Sequence, residues 1–213
     1  MAEIKVAKHA GFCFGVKKAI EIAEEVAQNN RDKTYVYGQL VHNEKVIKDL
    51  ENKGIIFVEN IYEIPENAVT VLRAHGEPGT TYQILEQKSI TKSKNLNDAT
   101  CPLVTLVHNV AIKLRNNGYE VVLFGKRNHP EAIGTSYHLK GKNTFIVESP
   151  EDYSSVIEYI ENNPDGKFAI ISQTTMSVYG YGKLIQDINS KLSGAKFEEI
   201  PLSMKNLDVK YGF

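Results

Sequence analysis

The sequence contains no tryptophan and only two cysteines in 213 residues. Two cysteines do not make a disulfide framework. With no apolar leader in MAEIKVAKHA, they point to a reducing, cytoplasmic setting. No stretch reaches the ~18 consecutive apolar residues of a membrane-spanning helix, so no membrane is expected. Neither sign of charge is in excess: 25 Lys+Arg stand against 26 Asp+Glu, a net charge of −1. A nucleic-acid partner calls for a basic stripe, and none is present. What remains, 42% hydrophobic and 24% charged residues, is the composition of a globular protein with a sizeable core.

Along the chain, short β-branched runs alternate with segments of helical period. Strands are expected at Ile4–Lys8, Thr34–Tyr37, Ile55–Val58, Val69–Arg73, Lys94–Asn97, Val121–Phe124, Thr144–Val147, Phe168–Ser172 and Phe197–Ile200. Helices are expected at Val16–Gln28, Asn43–Lys53, Thr80–Lys88, Pro102–Asn116, Pro150–Asn162 and Ser177–Leu192. The first helix shows an apolar stripe of Val16, Ala19, Ile20, Ala23, Val26 and Ala27. Gly54 and Gly118 follow two helices as stop signals. This is the α/β pattern, two packed α/β units with small parallel-rich sheets covered by helices. A boundary near residue 98 divides the chain into comparable halves, whose sequences are too unlike to mark a repeat.

In open α/β sheets, ligands bind beyond the carboxyl ends of the strands. Those positions carry a distinctive set here. They hold Cys13 between Gly11 and Gly15, His42 before Asn43, His75 before Gly76, and Cys101 after Asp98-Ala99-Thr100. They also hold His129-Pro130-Glu131 and Gln173-Thr174-Thr175. Each has an ordinary reading. A buried cysteine acts as a small hydrophobe, a threonine pair before a helix reads as an N-cap, and His-Pro-Glu reads as a capped turn with Pro130 at N1. Their joint placement weakens those readings. Both cysteines and three of the six histidines follow strands. Both cysteines also precede helices, whose backbone N–H groups attract negative charge or a phosphate. His9, His108 and His138 lack this placement, and His108, inside a helix, reads as structural.

The stretches GFCFGVKKAI, LVHNEKVIKDL, RAHGE, NDATCPLVTLVH, NHPEAIGT and SQTTMSV, in this order, resemble the LytB-type iron–sulfur 4-hydroxy-3-methylbut-2-enyl diphosphate reductases. The resemblance implies a trefoil-like fold of three α/β units around a cavity, and an oxidoreductase holding a [4Fe-4S] cluster on three cysteines. It implies reductive dehydroxylation to isopentenyl and dimethylallyl diphosphate in non-mevalonate isoprenoid biosynthesis. A small ferredoxin or flavodoxin is the implied electron donor. Carried over by motif, Cys13 and Cys101 match metal ligands. His42, His75, His129 and Thr174 match substrate-binding residues, and Glu131 matches the proton-delivering catalytic glutamate.

The sequence also departs from that pattern. The third cysteine ligand, expected beyond Gln173-Thr174-Thr175, is absent, and the region there reads Glu198-Glu199-Ile200-Pro201-Leu202-Ser203. The expected division is therefore 1–13 as N-terminal strand and cluster loop, 14–98 as first unit, 99–195 as second, and 196–213 as a truncated remnant of a third. The oligomeric state is left open by the sequence; a missing third unit would expose apolar surface and promote association. Two alternatives stand beside the reductase: a cluster-free diphosphate-binding paralogue or inactive fragment, and a plain redox or structural α/β protein with both cysteines unligated.

Overall fold

Thr34–Tyr37, Ile55–Val58 and Val69–Leu72 are short runs of β-branched and aromatic residues, the side chains that fit a pleated, half-buried surface. They form β1, β2 and β3 of a parallel sheet completed by β4, Leu96–Asp98, in the order β2-β1-β3-β4. The computed structural model describes residues 5, 11–192 and, for the backbone, 197–199. Apart from Lys5, the strand expected at Ile4–Lys8 lies outside the described residues, as do His9 and the segment after Glu199.

Three helices belong with this sheet in sequence: α1 (Phe14–Asn29), α2 (Glu44–Glu51) and α3 (Gly79–Gln87). The core joins Ala19 and Ala23 of α1 to Val36 of β1, Leu50 of α2, Ile55 of β2 and Val71 of β3. Small residues on the buried stripe of α1 let that helix lie close to the sheet. Val16, Ile20, Val26 and Ala27 cover the margin of the core.

The second half builds α4 (Pro102–Asn116), β5 (Glu120–Phe124), α5 (Pro130–His138), β6 (Thr144–Val147), α6 (Tyr153–Glu161), β7 (Phe168–Ser172), α7 (Val178–Lys191) and β8 (Phe197–Glu199). Its parallel sheet has the order β6-β5-β7-β8, strand for strand the arrangement of the first. The halves thus repeat in architecture although their sequences do not. Strand alternation separates two cores. Val122, Phe124 and Ile170 face α6 and α7, whereas Val121, Leu123, Ala169 and Ile171 face α4 and α5. A side chain such as Leu123, fully buried, contributes about 1.5–3 kcal/mol by leaving water.

Two differences from the sequence expectation stand out. The helix expected from Pro150 begins as a 3-10 turn, Pro150–Asp152, closed by a Ser149/Asp152 capping box. The His-Pro-Glu turn opens a full helix, α5, with His129 as N-cap and Pro130 in the first turn. The chain folds as two compact units. One comprises the residues up to Ala74 with Leu85–Cys101, and the other His75–Ile84 with the residues from Pro102 onward. Among the described residues, no helix is long and apolar enough to cross a membrane.

Candidate functional site

In the first unit, parallel register aligns Tyr37 with Leu72, and Leu72 with Asp98. The loops after β1, β3 and β4 therefore leave the sheet from one edge. Backbone bonds tie them together there: Ala74 donates to the Leu40 carbonyl at 3.2 Å, and Cys101 donates to the Ala74 carbonyl at 2.9 Å. Asp98 shapes the turn before Cys101. Its carboxylate accepts from the Thr100 amide at 3.1 Å and the Thr100 hydroxyl at 2.5 Å.

Cys13 is the N-cap of α1, with an exposed thiol that makes no capping bond. Two residues on, Gly15 is buried, and a Cβ built on it would lie 2.5 Å from Cys101 Sγ. Glycine at 15 is what admits the Cys101 sulfur to the first turn of α1. Neither cysteine is in a disulfide. The two thiols flank one helix start, a pair of soft donors that suits a thiophilic metal. His42, exposed, stands on the loop before α2 and directly precedes Asn43, the cap that accepts from the Val46 amide at 3.1 Å.

In the second unit, Phe124 and Ser172 are register partners, so the loops after β5 and β7 leave side by side. Gln173 joins them. Its amide donates to the Phe124 carbonyl at 2.8 Å, its side-chain oxygen accepts from the Lys126 amide at 3.0 Å, and its NH2 donates to the Thr175 hydroxyl at 2.8 Å. Thr174 is thereby held over the start of α5. Its amide donates to Glu131 Oε1 at 2.6 Å and its hydroxyl to Oε2 at 2.9 Å.

Glu131 is buried at 1% exposure. Burial raises its pKa above the ordinary carboxyl value, and the two Thr174 bonds offset only part of that rise. His129 caps α5 through Nδ1, which accepts from the Glu131 amide at 3.1 Å. A ring accepting at Nδ1 carries its proton on Nε2 when neutral, so the opposite edge is a donor. The His75 ring meets that of His129 edge-on, with centroids 5.3 Å apart at 82°.

Four of the seven residues singled out in the sequence, His75, His129, Glu131 and Thr174, thus gather in the second unit. Cys13 and Cys101 gather in the first, together with the His42 loop. Sequence reasoning overlooks Gln173 as the tie between loops and Gly15 as the seat for Cys101. Both lie inside quoted motifs, which was the available signal.

The fold resembles solved structures. The E-1-hydroxy-2-methyl-but-2-enyl-4-diphosphate reductase from Plasmodium falciparum matches with a TM-score of 0.80 and 31% identity over 91% of this chain and 57% of that one. A structure of (E)-4-hydroxy-3-methyl-but-2-enyl diphosphate reductase, described as the terminal enzyme of the non-mevalonate pathway, matches with a TM-score of 0.76. It is 33% identical, over 93% of this chain and 68% of that one. Among curated relatives, a 4-hydroxy-3-methylbut-2-enyl diphosphate reductase of Buchnera aphidicola is 38% identical over 208 residues, 95% of this chain. The match spans 64% of that relative's length. The family model for the LytB protein matches residues 4–205, and the chain belongs to the LytB family.

Proposed function

We propose that the chain serves the reductive dehydroxylation of 4-hydroxy-3-methylbut-2-enyl diphosphate to isopentenyl and dimethylallyl diphosphate. The observation that carries this reading is the buried Glu131, its pKa raised by burial, held by Thr174 beside the paired rings of His129 and His75. The reaction replaces a C–OH bond by C–H. It consumes two electrons and two protons and releases water. The departing oxygen needs an acid close by, and Glu131 is suited to that role because burial keeps its proton to higher pH. Thr174 aims the carboxyl group. A diphosphate concentrates negative charge, and the donor edge of His129, with His75, suits it. His42 is assigned to the same ligand on the family resemblance alone.

An iron–sulfur cluster, when bound, supplies the electrons and a Lewis-acidic iron for the hydroxyl. The fit of this chain to that group is partial. Cys13 and Cys101 occupy one helix start, with Gly15 leaving room for the second sulfur, and so fit two thiolate positions. With two cysteines in 213 residues, the third position implied by the resemblance has no cysteine here. Reduced ferredoxin or flavodoxin is the class of electron donor that suits such a centre.

The test is anaerobic reconstitution of the full chain with iron and sulfide, followed by turnover with a low-potential reductant. Absorbance at roughly 400 nm, as thiolate-ligated iron–sulfur centres show, is expected. It should vanish in Cys13→Ser and Cys101→Ser. Glu131→Gln should keep the colour and lose turnover. A colourless, iron-free wild type overturns the reading.

The cysteine count also favours a second reading, a cluster-free diphosphate-binding protein that uses the histidines alone. Calorimetry of metal-free protein with pyrophosphate separates the two. Binding without any capacity for iron supports the second reading, and no heat at millimolar ligand excludes it.

A further inference from the structure

His108 lies on α4 and is 8% exposed. Read from sequence it is a core histidine, but the ground it occupies is specific. A Cβ built on Gly76 would lie 2.7 Å from His108 Cε1 and 3.1 Å from Val104 Cγ1. One built on Gly134 would lie 3.4 Å from His108 Nε2, 3.5 Å from its Cε1 and 3.6 Å from the Gly76 carbonyl oxygen. The same ring edge therefore faces two backbones that bring no side chain of their own. One is the loop immediately after His75, where Gly76 has a φ of +77°. The other is α5, which starts at His129 and carries Glu131. The ring also meets that of His138 at a tilt, with centroids 4.5 Å apart and planes at 47°. All of these residues belong to the second unit.

We propose that His108 is a positioning residue: the Cε1–Nε2 edge of its ring, set against both Gly76 and Gly134, holds His75 in place against His129 and Glu131. A flat ring edge can abut two adjacent backbones at once, and a branched aliphatic chain cannot reproduce that edge. Gly76 and Gly134 admit it because neither carries a Cβ, and Gly76 also takes a left-handed backbone that other residues resist. His138 packs against the same ring. Burial, and then the nearby Arg115, hold the His138 pKa below the ordinary histidine value. That His108 matters for ligand binding rests on the proposed diphosphate site, whereas its effect on His75 and His129 does not.

The experiment is NMR of imidazole nitrogens in the metal-free full chain carrying 15N-histidine. It compares wild type, His108→Ala, His108→Leu and the packing control Val107→Ala, which truncates a 1% exposed side chain on the same helix. The expected result is displaced His75 and His129 resonances, and loss of the ring-to-ring NOE, in both His108 variants. Val107→Ala should lower the melting temperature and leave both rings in place. Pyrophosphate affinity should fall about tenfold in the His108 variants. Unchanged His75 and His129 resonances, or equal changes in Val107→Ala, overturn the proposal. Should His108→Ala fail to fold, His108→Leu decides the matter by the same resonances. If wild type binds no pyrophosphate, the diphosphate reading fails while the resonance comparison still judges His108.

Discussion

Both oxygens of the Glu131 carboxylate are taken by one residue, Thr174, through its amide at 2.6 Å and its hydroxyl at 2.9 Å. Two donors from a single residue fix a carboxyl group in direction as well as position. They also stabilise its charged form, against which burial works. Burial is the larger effect, so the folded protein holds the Glu131 proton more tightly than the unfolded chain does.

That imbalance makes a stability prediction. The ordinary value for the residue is 4.5, and the folded value lies above it. The stabilisation linked to this proton is fully present below the unfolded value and is lost as pH rises through the folded one. Glu131→Gln removes the linkage and keeps the geometry, since a glutamine oxygen accepts from the Thr174 amide while its NH2 donates to the Thr174 hydroxyl. The melting temperature of Glu131→Gln relative to wild type should therefore climb from about pH 4 towards neutrality. Glu151 and Asp152, whose pKa values are lowered, have the opposite trend but are common to both proteins. A difference independent of pH would remove the raised pKa from the account.

Thr174→Val keeps the amide donor and deletes the hydroxyl. A hydrogen bond to a charged group is worth about 1.5–3 kcal/mol, so a loss of that order is expected in urea unfolding above the folded pKa of Glu131. The loss should shrink in acid, where the carboxyl is neutral in wild type and variant alike. Thr174→Ser should recover most of it. Equal losses at both pH values would mean that the hydroxyl contributes packing rather than a bond to the carboxylate.

The strands and the principal helix of the second half were legible in the sequence because their signals are local. Thr34–Tyr37, Ile55–Val58, Thr144–Val147, Phe168–Ser172 and Pro102–Asn116 are observed with the bounds that their composition and period predict. The helix Pro130–His138 was not. Gly134, Thr135 and Ser136 are poor helix formers, and the segment is held by burying Ala132 and Leu139 in the core it shares with α4. The site divides in the same way. His129, Glu131 and Thr174 stand out because they follow strands. The Thr174–Glu131 bond spans 43 residues and leaves no periodic trace. The threonine pair reads locally as an N-cap, yet α7 is capped by Ser177, which accepts from the Gly180 amide at 3.3 Å.

Gly15→Ala separates propensity from packing. Alanine is the better helix former by about 1 kcal/mol, but its Cβ would fall 2.5 Å from Cys101 Sγ. Overpacking a tight contact costs about 1–3 kcal/mol, so a net loss of stability is expected in metal-free protein, with reduced iron content after reconstitution. The double variant Gly15→Ala/Cys101→Ala should regain the lost stability, because the obstructing sulfur is gone. A stable single variant with full iron content would show that the sulfur moves aside freely.

Gln173 is 2% exposed, and its side chain binds both the loop after β5 and the loop after β7. Gln173→Leu conserves much of its volume but removes the bonds to the Lys126 amide and the Thr175 hydroxyl, both on exposed residues that can turn to water. The cost should therefore be that of ordinary hydrogen bonds, about 0.5–1.5 kcal/mol each. The more telling result concerns Thr174, the next residue. Once the tie to Lys126 is cut, Thr174 is no longer fixed over α5, and the Glu131 carboxyl should titrate at a different pH, read by 13C NMR of the side-chain carboxyl. Gln173→Glu keeps an acceptor for the Lys126 amide and should leave Thr174 closer to its wild-type place than leucine does. A Glu131 titration identical in wild type and Gln173→Leu would show that Thr174 is held by β7 alone.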